Sequence, residues 1–319
     1  VSTPRRSPSP SALLSAGAIA FVLVITAAVL WAVTSTDPGE TDPGETDTGQ
    51  EGSMTAPRRV MLAGDSMTQG ANGDVTWRFH LWTHLSEHVG DVDFVGPYTD
   101  PASRDMILPV PTEPEADPSA PEDDVPEATE GADWPGPDGD PDTPEYRDPE
   151  FDQEHNALWG RTLGDAAGTI REEARVHRPD VLCVMLGVND LLWPVTMDEM
   201  EYRLRAYVTG AREGEPHVRV VLAESLPIAL GATDEGFALR QYAYNELVRE
   251  VAADLSTEAS PVVSLDIAGA EDWDVAEDTY DGTHPDPGGE VKIAAAFADV
   301  LAAEFGMGES YPRPLPAPS

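Results

Sequence analysis

The sequence predicts a doubly wound α/β domain, a three-layer sandwich with a parallel sheet between two layers of helices. Three observations lead there. Short apolar runs alternate with longer amphipathic stretches, the pattern of repeated strand-helix units. The run 181–186 has no polar side chain, as a central strand covered on both faces requires. The apolar run from Val60 stops at Gly64-Asp65-Ser66, which delivers a hydroxyl to the carboxyl edge of the sheet, where open α/β sheets bind ligands.

In chain order, Arg5 and Arg6 precede an uncharged apolar stretch, 12–33, about as long as a bilayer-spanning helix. The flanking charges predict 1–11 on the cytoplasmic side and the catalytic part outside the cell membrane. The alternative is a cleaved secretory signal, and hence a secreted protein, but no convincing small-x-small site follows Trp31. Residues 34–57, with a tandem Asp-Pro-Gly-Glu-Thr repeat, read as a disordered acidic linker.

The domain is expected over 58–306. A strand leads to Ser66, and a helix over 77–89 aligns Trp77, Leu81, Leu85 and Val89 in one stripe before a strand at 92–95. The Pro-rich acidic segment 100–150 cannot bury enough apolar surface to offset its ordering entropy and reads as an extended insertion. Helices are then predicted over 169–177, 197–213, 235–255 and 289–305, with strands at 181–186, 218–223 and 262–267. This makes about five parallel strands. Residues 307–319 read as a disordered tail.

Composition excludes some partners. A net charge of -40 disfavours nucleic acid and anionic lipid headgroups. The single cysteine, Cys183, can form no intrachain disulfide and reads as a buried small hydrophobe. His80, His84 and His88 recur every fourth residue on a predicted helix, but further ligands are lacking, so the reading is a partly exposed face and not a metal site. No metal or cofactor is expected.

Two later stretches bear on Ser66. Gly187-Val188-Asn189-Asp190 follows the central strand, and Asp281-Gly282-Thr283-His284-Pro285 precedes the last helix. A serine hydroxyl is a poor nucleophile until an imidazole removes its proton, which His284 can do. Asp281, in the same turn, can reach the other ring nitrogen and hold the tautomer.

With Gly160 between them, these blocks in this order resemble the SGNH (GDSL-type) esterase and lipase family. The resemblance implies a flavodoxin-like sheet and a serine esterase acting on a glycan O-acetyl group or lipid ester through an acyl-enzyme. It assigns Ser66, His284 and Asp281 to a triad, and the Ser66 and Gly160 N–H groups with the Asn189 amide to the oxyanion hole. Gly164 and Gly168 are alternatives to Gly160. Asp65 and Asp190 are expected to bond loop backbone, and His155 to line the cleft. Met67 and Val188 depart from the commonest pattern without removing a catalytic atom, and no Gly-x-Ser-x-Gly elbow is present. A noncatalytic glycan-binding module on the same fold, or an O-acyltransferase, are the competing functions.

Overall fold

The computed structural model describes residues 58–103, 144–193 and 195–317. The predicted anchor, the linker and most of the acidic insertion lie outside them. Among the described residues no helix is long and apolar enough to cross a membrane.

The chain runs through β1 (Arg58–Gly64), α1 (Ser66–Gln69), α2 (Trp77–His88), β2 (Val92–Phe94) and β3 (Asn156–Ala157). Next come α3 (Leu163–His177), β4 (Val181–Met185), α4 (Val188–Leu192), α5 (Met197–Gly214), β5 (Arg219–Ala223) and α6 (Ala229–Thr233). The last elements are α7 (Glu235–Leu255), β6 (Val262–Leu265), α8 (Ile267–Ala270), α9 (Val275–Asp278) and α10 (Pro287–Phe305).

All strand pairs are parallel, in the order β2-β1-β4-β5-β6. β4 borders β1 along Val60–Gly64. On the other edge of β1, β2 pairs with its first residues and β3 with Ala63 and Gly64. β2 and β3 therefore share one lane, and the acidic insertion leaves and re-enters there. Five lanes result, as predicted, with the two-residue β3 as an unpredicted sixth strand.

From β1 the chain steps one way to β2 and the other way to β4, so right-handed crossovers place α2 opposite α3, α5 and α7. The packing agrees: α2 contacts α10, whereas α5 contacts both α3 and α7. The switch between directions lies at the carboxyl ends of β1 and β4, which carry Ser66 and Asn189.

Local chemistry sets the helix starts. α2 buries Trp77, Leu81 and Leu85 completely, and Trp77 stacks on Phe297 of α10. α3 begins at Leu163, ahead of the predicted 169, because Thr162 and Asp165 form a capping box. Gly164 and Gly168 therefore lie inside a helix, leaving Gly160 in the loop. β6 ends at Leu265, since Asp266 caps α8.

One further expectation is corrected. The segment after α10 is packed: Met307 and Tyr311 are buried, Tyr311 N–H donates to Asp299, and Arg313 pairs with Glu271 and Asp299. On α2, His84 is buried with its Nε2 bonded to the Glu309 carbonyl, whereas His80 is half-buried and His88 exposed, so the histidine face is partly exposed, as expected. Cys183 is buried within β4, which pushes its thiol well above the ordinary range.

Candidate active site

Asp65 follows β1 and caps α1, one carboxylate oxygen accepting from Met67 N–H at 3.1 Å. Ser66 opens α1 with only 7% of its surface exposed. Arg78 pins the other end of α1. Its guanidinium, wholly buried, donates to the Thr68 and Gln69 carbonyls at 2.8 and 3.2 Å, and also to the Gln153 carbonyl and Tyr146 hydroxyl. Burial pulls this guanidinium below its ordinary range.

After β4 the backbone turns at Gly187, with φ +117° and its α-carbon against the Tyr244 ring. A Cβ would lie 2.4 Å from that ring, so only glycine fits. Asn189 then directs its amide at β1, with Nδ2 donating to Asp65 Oδ2 and to the Arg161 carbonyl, both at 3.2 Å. Asp190 accepts from Leu163 N–H at 2.7 Å and from Arg203 at 2.9 Å, tying the loop to the start of α3. Asp65 and Asp190 thus hold loops, in keeping with their expected structural role.

The Gly160 loop is held from three sides. Leu158 N–H donates to the Gly64 carbonyl, and Trp159 N–H to Gln69 Oε1 at 2.7 Å. Arg161, buried, bonds Asn156 and Thr169 and forms an ion pair with Glu173. Gly160 itself is exposed, at φ +73°. Its N–H and that of Ser66 meet no acceptor among the described residues.

His155 is not in the cleft. It is fully buried beneath it, near the Tyr146 hydroxyl and the Asp100 carbonyl, because its segment pairs with Tyr98.

The loop after α9 brings Asp281 and His284 to Ser66. Asp281 Oδ1 accepts the Thr283 and His284 N–H groups at 2.9 and 2.7 Å, folding the turn around its own carboxylate. Oδ2 lies 2.7 Å from His284 Nδ1, and His284 Nε2 lies 3.0 Å from Ser66 Oγ. An ionised carboxylate only accepts, so Nδ1 carries the proton and the Nε2 lone pair faces the hydroxyl. Trp159 stacks on the imidazole at 4.5 Å between centroids and 23° between planes, and Tyr280 lies nearly parallel to it at 5.7 Å.

The carboxyls around this point differ. Burial raises Asp281, but hydrogen bonds and charge from His284 outweigh it and leave Asp281 below its ordinary value. Burial dominates at Asp65, raised to about 7, at Asp74, raised to about 6, and at Glu290, raised well above the usual range. Among the described residues no group of three or more His, Cys, Asp or Glu could hold a metal ion. A groove of about 540 Å³ between α3 and α5 contains none of the residues around Ser66.

The sequence reading missed Trp159, Arg78, Arg161 and Glu290. A tryptophan directly before the block glycine was one available signal. The buried charges had none: Arg78 meets Tyr146 and Glu290 meets Trp77 from far along the chain, and nothing in the sequence distinguishes Arg161, whose partners lie nearby, from a surface arginine.

Residues 129–291, half of the chain, match the GDSL-like Lipase/Acylhydrolase family. The protein belongs to that family and is a carboxylic ester hydrolase. The matched span includes Gly160, Asn189, Asp281 and His284 but begins after Ser66.

Among solved structures it is similar to an acetyl esterase, a serine-to-alanine mutant with an acetate ion, at 23% identity and TM-score 0.54, covering 75% of this chain and 93% of that one. A carbohydrate esterase family 3 protein from Talaromyces cellulolyticus is similar at 23% identity and TM-score 0.53, covering 75% and 94%. The Clostridium thermocellum family 3 carbohydrate esterase gives 19% identity and TM-score 0.53, covering 79% and 100%. No curated protein matches.

Proposed function

We propose that this enzyme removes acetyl groups from a carbohydrate by a double displacement at Ser66. The observation that carries the reading is the continuous hydrogen-bonded line from Asp281 through His284 to Ser66 Oγ. As Oγ bonds to the acyl carbon, its proton passes to His284 Nε2 and the carbonyl π electrons move to oxygen. The oxyanion collapses, the C–O bond to the alcohol breaks, and the leaving oxygen takes the proton from Nε2. Water then repeats the sequence on the acyl-enzyme, releasing acetate.

The Ser66 and Gly160 N–H groups and the Asn189 amide serve the oxyanion. Both Asn189 bonds are long, and a full negative charge is a stronger acceptor than the Arg161 carbonyl, so one N–H exchanges that carbonyl for the substrate oxygen as its hydrogen-bond acceptor. Acetyl-carbohydrate specificity is supported by the substrates named for the similar structures. Trp193, 63% exposed and four residues beyond Asn189, offers a flat apolar surface to a sugar ring. The apolar stretch 12–33 supports export with a membrane anchor, and protease treatment of intact cells, releasing the domain by a cut within 34–57, tests that placement.

A fluorophosphonate probe should label Ser66, and the enzyme should release acetate from acetylated xylan. Unchanged labelling in Ser66→Ala would overturn the triad. A preference for long-chain esters over acetyl esters would overturn the substrate.

A further inference from the structure

We propose that Trp159 is a positioning residue for the general base: its stacked indole holds the His284 imidazole in line between Asp281 and Ser66 and stabilises the imidazolium formed when Ser66 loses its proton. The inference rests on the triad reading and extends it to a residue outside the triad.

Hydrogen bonds alone leave His284 loosely defined. They fix the positions of Nδ1 and Nε2 but hold the tilt of the ring plane only weakly, so the Nε2 lone pair can swing off the line to Oγ. A parallel π surface at 4.5 Å removes that tilt. Tyr280, nearly parallel but farther away, adds a second π surface.

The backbone that carries the indole is itself fixed. The Trp159 main-chain N–H donates to Gln69 Oε1, the Gln69 amide donates to the Asp100 carbonyl, and Gln69 closes α1, the helix that Ser66 opens. Nucleophile and stacking ring are therefore placed by one short segment. A line from Ser66 through Gln69 and Trp159 returns to the base.

The electronic argument points the same way. Aromatic faces carry negative potential, so a stacked ring favours the cationic base over the neutral one, and tryptophan does so most strongly. That preference grows as the proton moves from Oγ to Nε2, so it lowers the barrier and not merely the ground state. The other groups bearing on the ring are Asp281, Asp65, Asp74 and the Tyr280 phenol. They are unchanged by substitution at 159, so a difference between variants reports the indole.

The test compares Trp159→Leu and Trp159→Phe with wild type on p-nitrophenyl acetate and an acetylated oligosaccharide. Leucine keeps apolar bulk without a π face, and phenylalanine keeps a π face. Trp159→Leu should lose about 3- to 30-fold in kcat on both esters, and Trp159→Phe should recover most of it. The acid limb of kcat/KM should move to lower pH in Trp159→Leu, because the cationic base is less favoured there. Tryptophan fluorescence gives a second reading independent of turnover: the difference between wild type and Trp159→Phe should be quenched as pH falls through that limb.

Equal activity in the leucine and phenylalanine variants would overturn the proposal. So would a loss confined to KM that follows the alcohol part of the ester, which would make Trp159 a substrate platform. Either result leaves fluorophosphonate labelling of Ser66 intact, whereas failure of the triad reading abolishes Ser66-dependent labelling.

Discussion

Two carboxylates flank Ser66, and their surroundings are opposite. Asp65 is almost wholly buried at the edge of the sheet, where burial lifts it to about 7. The Asp281 side chain is 39% exposed on a loop, and its bonds with His284 carry it below its ordinary value. One holds the architecture of the nucleophile turn, and the other holds the tautomer of the base. The difference teaches that the site joins a preformed half, locked to β1 and β4, to a half that defines its own geometry within four residues. Loss of a side chain whose bonds tie the first half together, as Asn189 ties to Asp65, should cost stability and activity together, and changes in the second half should cost activity alone.

The largest expected effect belongs to Ser66→Ala, which should lower kcat by about 10⁴-fold or more with little change in folding. Next is Asp281→Asn. Its single amide oxygen can keep the backbone N–H bonds, which turns the NH₂ toward Nδ1 and moves the ring proton to Nε2. The base then faces Ser66 as a donor, and kcat should fall about 10³- to 10⁴-fold. The melting temperature should stay within about 2 °C of wild type, because the position is exposed. Asn189→Ala should lose about 10²- to 10³-fold in kcat with little change in KM. It also leaves the buried Asp65 Oδ2 without its donor, which costs about 1–3 kcal/mol. A drop of several degrees in melting temperature should follow. Equal melting temperatures for Asp281→Asn and Asn189→Ala would dissolve the distinction between the two halves.

The Ser66 and Asn189 blocks were legible because each sits at the end of a strand with a strong apolar pattern. β1 and β4 announce themselves as buried runs, so Ser66 and Asn189 could be placed at one edge of the sheet. The Asp281–His284 turn carried its own spacing. What the sequence hid depends on partners remote along the chain. β3 has two residues and no period of its own, and it exists because β2 leaves part of the β1 edge open. Arg78 is buried against Tyr146, on the far side of most of the acidic insertion, and His155 is buried where its segment pairs with Tyr98, before that insertion. The packed segment after α10 looked disordered because its composition is poor in apolar residues, yet Tyr311 and Arg313 fasten it to α8 and α10. The start of α3 was readable from Thr162 and Asp165, but Gly164 and Gly168 masked it.

The smallest expected effect concerns stability against pH. Asp65 and Asp74 both titrate above their ordinary value in the folded protein, at about 7 and about 6. Folding therefore favours their protonated forms, and the stability they contribute is fully present below about pH 4 and lost as pH rises through 6 and 7. Asp281 has the opposite sign, contributing above its ordinary value and losing that contribution in acid. Wild type should be most stable at about pH 4 and melt several degrees lower at pH 8. Hydrolysis should run the other way, since His284 must be neutral to take the serine proton. Asp74→Asn isolates the first effect, because an asparagine oxygen can still accept the Ala71 N–H that Asp74 Oδ2 takes at 2.7 Å. At about pH 4 the variant should melt close to wild type. At pH 8 it should melt about 2–5 °C higher, the return of about 1–2 kcal/mol after allowing for partial exposure of Asp74. Scanning calorimetry at the two pH values decides it: a variant that is no more stable than wild type at pH 8 would remove Asp74 from the acids strained by folding and leave Asp65 and Glu290 to account for the alkaline loss.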